Sequence, residues 1–508
     1  MSERSRKHAA VTLLVAALFA SGAWLALRMT HSLERHASWG SGKLLQENTG
    51  LLGAEDFTTS RNSLAGDRLN LERWYGHQEV YRKDPARVGE LLVRFRLEAN
   101  AYLLVLFRDA AGSAVGVRVS RNPLFPSALV AVDPVGKFTR KQPLSLPEPG
   151  DAWNELELKP LDGALGLRWN GTAMPALDAT VAGPATIVVR GGRHPAAVAR
   201  IRALNREGHE LFDERFANAP VAPLALFSAA IALVALLVSP GGERKRTLVV
   251  HATTFLSTVL LAGLDARYVA HEHFSGAWPS RKVVSEAIDR GNGEVARLLE
   301  PLLAHPAKLR VLLLGTSQTW GTGARVEGER WSNLLEKKLA ARTGVAGALL
   351  NTGVRASNLE RLVDEHRARW ARWKPQLVIA VLGSSDRGRA DFAANLEKLV
   401  ALDAAIGAKT VFVLEATDPE TSQDMEGEET DGMSESSLLA RHRDLLDVAA
   451  RHGIPVLDAH RYYSSPQVAD SGLLWWDFAH LTSYGQALMA DQVYAQILKI
   501  LGDTSVEM

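Results

Sequence analysis

The chain has no cysteine. That absence excludes disulfides, thiolate catalysis and cysteine-ligated metals together, and it fits an oxidising compartment. Net charge is nearly absent too: 58 Lys and Arg against 57 Asp and Glu leave +1, so nothing favours bulk binding of nucleic acid. His271 and His273 stand two apart, but no third ligand follows them, and an interfacial or solvated pair is the simpler reading. No metal and no cofactor is expected. At 508 residues the chain exceeds one ordinary domain, and its length suggests about three units.

Long apolar runs are present. The first extends from Ala9 to Leu27 behind Arg4, Arg6 and Lys7. It is long enough to span a bilayer and long for a signal-peptide core, although the small residues of "ASGA" leave a cleaved signal as the alternative. Two more runs, Val221–Val238 and Thr247–Leu264, contain no Asp, Glu, Lys or Arg and flank the basic connection Arg244-Lys245-Arg246. Positive charge marks the cytoplasmic side, so three transmembrane helices are expected, with both large regions outside a bacterial inner membrane, in the periplasm. The divisions are 1–29 (cytoplasmic start and first helix), 30–218, 219–267 (the membrane hairpin), 268–307 (a helical linker) and 308–508.

Within 30–218 the pattern is short and alternating. "ELLVRFRLEANAYLLVLFRD", "AVGVRVS", "WNELELKPLDGALGLRWNG" and "ATIVVRGG" read as strands, with turns at Asp162-Gly163 and Asn170-Gly171. Many short strands with tight turns imply a two-sheet antiparallel β-sandwich. The rhythm, with its "WNELEL…RWNG", resembles the concanavalin-like jelly rolls that accompany carbohydrate-active enzymes. Trp153 and Trp169 are candidates for stacking on sugar rings, against the commoner fate of sandwich tryptophans in the core.

After residue 308 apolar strands alternate with amphipathic helices: "LRVLLLG", "ALLNTG", "QLVIAVLG", "KTVFVLEAT" and "IPVLD". Five such strands imply an open parallel sheet, whose sites lie at the carboxyl ends of its strands. Ser317 follows the first strand, Gly353 the second, Gly383-Ser384-Ser385-Asp386 the third, and Asp477 and His480 come after the fifth. An acid and an imidazole three residues apart can merely decorate a helix start. Placed on the same sheet edge as "GTSQTWGTG", they have a nucleophile to serve. A serine hydroxyl needs a base to take its proton. His480 is suited to that, Asp477 to holding the imidazole, and the Gly353 amide to approaching a developing oxyanion.

These blocks, "LLLGTSQTWGTG", "LLNTGVRASNL", "VIAVLGSSD" and "DFAHLTSYG", resemble the SGNH hydrolases, the GDSL esterase/lipase family, over about residues 308–502. The resemblance implies a flavodoxin-like α/β domain with Ser317, Asp477 and His480 as the triad. Ser317 and Gly353 would supply oxyanion amides. Two positions depart from the family pattern. Thr316 stands where Asp is usual, and Ser385 where an Asn amide normally donates to the oxyanion. A serine hydroxyl is shorter and less fixed, which would slow turnover by about one or two orders of magnitude, retune the substrate, or mark a member that no longer hydrolyses.

Trp475 and Trp476 beside the acid are candidates for a sugar-stacking platform, with one of them packed beneath the loop. Arg355 is a candidate for meeting an anionic substrate. The acidic stretch 417–437 reads as a solvated loop placed to act as a lid. The expected activity is a membrane-anchored, extracytoplasmic serine esterase or O-acyltransferase, acting on small acyl groups, acetyl above all, of a cell-envelope polysaccharide. Its expected partners are the glycan, the membrane and envelope polysaccharide machinery. A lipid esterase and a catalytically weak glycan-binding scaffold are the alternatives.

Overall fold

The computed structural model describes residues 39–41, 63–65, 68–71, 79–150, 152–215, 292–293, 296–297, 299–300, 302–304, 309–343, 349–355, 357–386, 389–422 and 435–500. The three apolar runs, the His271/His273 pair and most of the acidic stretch lie outside them. Among the described residues no helix is long and apolar enough to cross a membrane.

The front region is a pair of antiparallel sheets. One has seven strands in the order Trp39–Ser41, Glu79–Arg82, Thr186–Gly191, Tyr102–Arg108, Ala114–Ser120, Ala128–Val132 and Phe138–Pro143. The other runs Thr172–Leu177, Ala164–Trp169, Asn154–Leu161, Glu90–Leu97, Ala196–Leu204, Arg68–Leu71 and Ser63–Ala65, with Glu210–Arg215 added against Ala196–Leu204. Alternation in the sequence decides what faces inward: Leu91, Val93, Phe95 and Leu97 are buried while Arg94 between them is exposed. Leu103, Val105, Phe107, Leu156, Leu158 and Ile187 meet them from other strands to form one core. The hairpin at Asn170-Gly171 has both residues at positive φ, 48° and 79°. That is the geometry a two-residue turn needs to match strand twist, and the reason Asn and Gly stand there.

The rear region is a five-stranded, all-parallel sheet in the order Leu349–Asn351, Val311–Gly315, Leu377–Leu382, Lys409–Leu414, Val456–Asp458. Its central strands are buried on both faces, as continuous Val/Leu/Ile runs require. Helices Trp331–Thr343 and Ser483–Ile500 cover one face through Leu335, Leu339, Val493 and Ile497. Leu359–Ala368, Phe392–Ile406 and Glu435–His452 cover the other through Leu362, Leu396 and Leu445.

The two regions are docked. Tyr102–Arg108 is buried at both parities. Its second face, Tyr102, Leu104 and Leu106, joins Val130, Val132 and Val188 in a cluster that takes in Ala469 and Leu473 of the rear region. Polar contacts fix the register. The turn before Phe138–Pro143 pairs with residues 471–473: Phe138 N–H donates to Ser471 O at 3.0 Å and Leu473 N–H to Gly136 O at 2.7 Å. Two buried acids of the rear region also dock into the front one. Asp470 accepts from Arg118 and Lys141, and Glu420 from the Asn122 side chain and the Arg193 amide.

Candidate active site

The first parallel strand ends at Gly315, and the chain turns directly into the short helix Ser317–Trp320. Ser317 therefore sits at the carboxyl edge of the sheet with its helix leading away. Gly321 closes that helix in the left-handed region (φ 90°), its N–H reaching the carbonyls of Ser317 and Gln318. The turn is braced from several sides. Thr316 Oγ1 donates to Glu415 at 3.1 Å, Gln318 Nε2 to Ala416 O at 2.9 Å, and Trp331 Nε1 to Gln318 O at 2.9 Å.

Asp477 and His480 lie in a loop folded back on itself. Trp476 N–H donates to His480 O and Thr482 N–H to Leu474 O, both at 2.8 Å, with a bridge between Trp475 and Leu481. Asp477 is 3 % exposed. Its Oδ1 accepts the amides of Ala479 (2.8 Å) and His480 (2.7 Å), while Oδ2 lies 2.6 Å from His480 Nδ1. His480 Nε2 lies 2.7 Å from Ser317 Oγ, which is partly exposed. Because a carboxylate only accepts, the imidazole proton sits on Nδ1, leaving Nε2 to receive the hydroxyl proton. Gln486 joins this loop to the serine side: its Nε2 donates to Thr322 O (3.1 Å) and Leu481 O (3.2 Å), and its Oε1 accepts from Trp331 N. The structure thus brings Ser317, His480 and Asp477 into one hydrogen-bonded chain, the arrangement that activates a hydroxyl for acyl transfer.

Two of the residues proposed for the oxyanion, Gly353 and Ser385, are placed differently. The Gly353 amide donates to Asn351 Oδ1 at 2.9 Å, so it is engaged within its own loop, a correction to the donor role. Its need for glycine is steric: a Cβ there would stand 2.4 Å from Trp320 N, against the serine's helix. Ser385 is exposed on the turn Ser384–Asp386 after the third strand. The neighbouring Ser384 amide donates to Glu415, whose other oxygen takes the Thr316 hydroxyl. Glu415 thus ties the first block to the third across the sheet edge and is fully buried.

Asp386 is buried and accepts the Leu359 amide through both oxygens, at 3.0 and 3.2 Å. Burial raises its carboxyl to about 6, with the nearby Glu415 charge adding to the shift and the Leu359 bond opposing it. A carboxyl raised on folding contributes its stability below the unfolded value near 4 and loses it as pH rises through about 6. Asp386→Asn keeps an acceptor for Leu359 without the charge. The variant is expected to match the native chain at pH 4 and to exceed it at pH 8 by up to about 3 kcal/mol. Urea unfolding at the two pH values measures the difference. Equal gaps at both would show that the carboxyl does not titrate in this window.

Two further expectations are corrected, a sugar platform at Trp475 and Trp476 and a substrate contact at Arg355. Trp475 and Trp476 are each 2 % exposed, so neither offers a face to a sugar. Trp475 packs edge-on to Tyr463 (ring centroids 5.7 Å apart) and Trp476 lies 5.9 Å from the His480 ring, both drawn in by the closed loop and its apolar backing. Arg355 is 4 % exposed, withdrawn from solvent and from a substrate in it. In the front region Trp169 belongs to the core beside Phe95. Trp153 is half-buried, with Arg94 and Arg96 at 5.8 and 5.7 Å from its ring. Sequence reasoning missed Glu415, Gln486 and Asn351. Only Glu415 left a signal, as an acid directly ending an apolar strand.

No curated protein matches the chain. Several solved structures are similar to part of the chain. An acetyl xylan esterase, AlAXEase, is 14 % identical, covering 37 % of this chain and 100 % of its own, with a TM-score of 0.32. A lipase/acylhydrolase from Enterococcus faecalis is 20 % identical, covering 38 % and 96 %, at 0.31. The esterase EstA from Pseudoalteromonas sp. is 19 % identical, covering 38 % and 98 %, also at 0.31. The model of the GDSL-like lipase/acylhydrolase family matches residues 313–488, the segment that runs from the first parallel strand through Ser317 to the helix beyond His480. That segment of the chain is a GDSL-like lipase/acylhydrolase domain.

Proposed function

We propose that the chain is a membrane-anchored, extracytoplasmic serine esterase or O-acyltransferase that moves small acyl groups, acetyl above all, on a cell-envelope polysaccharide through an acyl-serine intermediate. The observation that carries the chemistry is the Ser317–His480–Asp477 chain, with contacts of 2.7 and 2.6 Å. His480 takes the Ser317 proton as Oγ attacks the acyl carbonyl, and returns it to the departing sugar oxygen. Water or a second sugar hydroxyl then attacks the acyl-serine with His480 again as base. The apolar runs with their basic flanks support the membrane anchor, and the front sandwich with its half-buried Trp153 supports a glycan partner.

The full chain should react with a fluorophosphonate probe and hydrolyse p-nitrophenyl acetate. Ser317→Ala should lose labelling and at least about four orders of magnitude in kcat. Acetate release from an acetylated polysaccharide, with and without an added acceptor glycan, then separates hydrolysis from transfer. Absent labelling in the folded native chain would favour the second reading, a glycan-binding scaffold, which the engaged Gly353 amide and the exposed Ser385 support.

A further inference from the structure

We infer that the front sandwich completes the catalytic centre, and that Arg190 is a positioning residue for the Asp477–His480 pair. The inference rests on the esterase reading above. Arg190 lies on the sandwich strand Thr186–Gly191 and is 3 % exposed. Its Nη2 donates to the carbonyl of Trp475 at 2.8 Å, across the buried junction of the two regions. That carbonyl stands two residues before Asp477, where the loop to His480 begins to close. Trp475 bridges to Leu481 and Trp476 bonds to His480 O, so the segment from Trp475 to His480 moves as a unit. A displaced Trp475 carbonyl strains that segment, whose other side is held by the Asp418 amide on Phe478 O.

Arg190 is itself held. Glu79, 7 % exposed on the neighbouring strand, lies 3.6 Å from Arg190 Nη1 and 2.9 Å from Arg108 Nη2. One buried carboxylate thus orients two guanidiniums, and one of them reaches out of the sandwich into the catalytic loop. A guanidinium suits this task because its planar fork can face Glu79 with one nitrogen and a carbonyl with another. Upstream, the same loop is fixed to the sandwich by the Gly136–Leu473 and Phe138–Ser471 bonds. The segment from Ser471 to Trp475 is therefore registered against sandwich strands before it delivers Asp477 and His480 to Ser317. Acyl transfer tolerates little misplacement: a shift near 1 Å in a reacting group costs about a hundredfold.

The test compares the full native chain with Arg190→Gln, Arg190→Lys and Asn122→Ala. Asn122 makes a contact of the same junction, to Glu420, and has no hydrogen bond of its own to the segment from Trp475 to His480. Arg190→Gln is expected to lower kcat for p-nitrophenyl acetate by about 30- to 100-fold with KM within about twofold. The lysine variant should recover to within about fivefold of native, since one donor again reaches the carbonyl. Asn122→Ala should keep native kcat. Equal losses in Arg190→Gln and Asn122→Ala, a loss confined to KM, or no recovery with lysine would overturn the inference. Amide exchange of Trp476 and Thr482, read by mass spectrometry, decides it independently of turnover. Exchange should quicken at least about tenfold in Arg190→Gln and not in Asn122→Ala; unchanged exchange would overturn the positioning role. A native chain that neither labels nor turns over would instead defeat the esterase reading, and the exchange result would still say whether Arg190 holds the loop.

Discussion

Asp477→Asn is expected to lower kcat by about four orders of magnitude while leaving the loop in place. The two oxygens of Asp477 do different work. Oδ1 holds the Ala479 and His480 amides, and Oδ2 faces His480 Nδ1. Asparagine keeps a carbonyl oxygen, and the two backbone donors require it to stay on their side. Its amide nitrogen must then face Nδ1. An N–H there forces the imidazole proton onto Nε2, so that a donor, rather than an acceptor, confronts the Ser317 hydroxyl. The base is lost without loss of structure. Steady-state kinetics on folded protein would measure it, together with a fluorophosphonate labelling rate that falls in parallel. A loss under tenfold would mean that Asp477 is a loop brace and that His480 is oriented by something else.

The same loop shows what the sequence made legible and what it hid. The order of strand, turn and helix around Gly315 and Ser317 was readable because continuous Val/Leu runs of strand length alternate with helical periodicity, the pattern of a parallel sheet covered on both faces. In the front region, alternation in Glu90–Leu97 announced a sheet with one wet face. The neighbouring "YLLVLF" did not alternate, and that was the trace of a second partner: its outward side chains lie under Leu473 and Ala469. One of the two tryptophans was expected beneath the loop, and the other was misjudged because an aromatic beside an acid looks the same whether it faces a ligand or a neighbouring domain. Only the docked sandwich and the loop closure decide that both are buried. Gly353 was misjudged for a related reason. A glycine beside a nucleophile can free an amide or admit a close neighbour, and here it admits the Trp320 backbone while Asn351 takes its N–H. Asp470, Glu420 and Arg190 left no mark, since a charge that will be buried across an interface reads as a solvated one.

Asp470 is where the largest change in stability is expected. Its carboxylate meets Arg118 through both oxygens, at 2.7 and 3.2 Å, and Lys141 at 2.7 Å. Arg118 is 2 % exposed and its Nε is committed to Pro126 O. Asp470→Ala would strand that guanidinium in the junction, lined by Phe125 and Phe138 at 5.8 and 5.9 Å. Removing one partner of a buried pair costs about 3–5 kcal/mol, most of it the penalty of the charge left behind. The cost falls on the docking of sandwich and hydrolase regions, so unfolding in urea should split into two transitions, with the helix Pro466–Ala469 and residues 471–473 exchanging amides before the rest. The double variant Arg118→Met, Asp470→Leu removes both charges and keeps the volume, and should recover most of the loss. If the double variant is no better than the single one, the ion pair itself, rather than the avoidance of an orphaned charge, is what holds the two regions together.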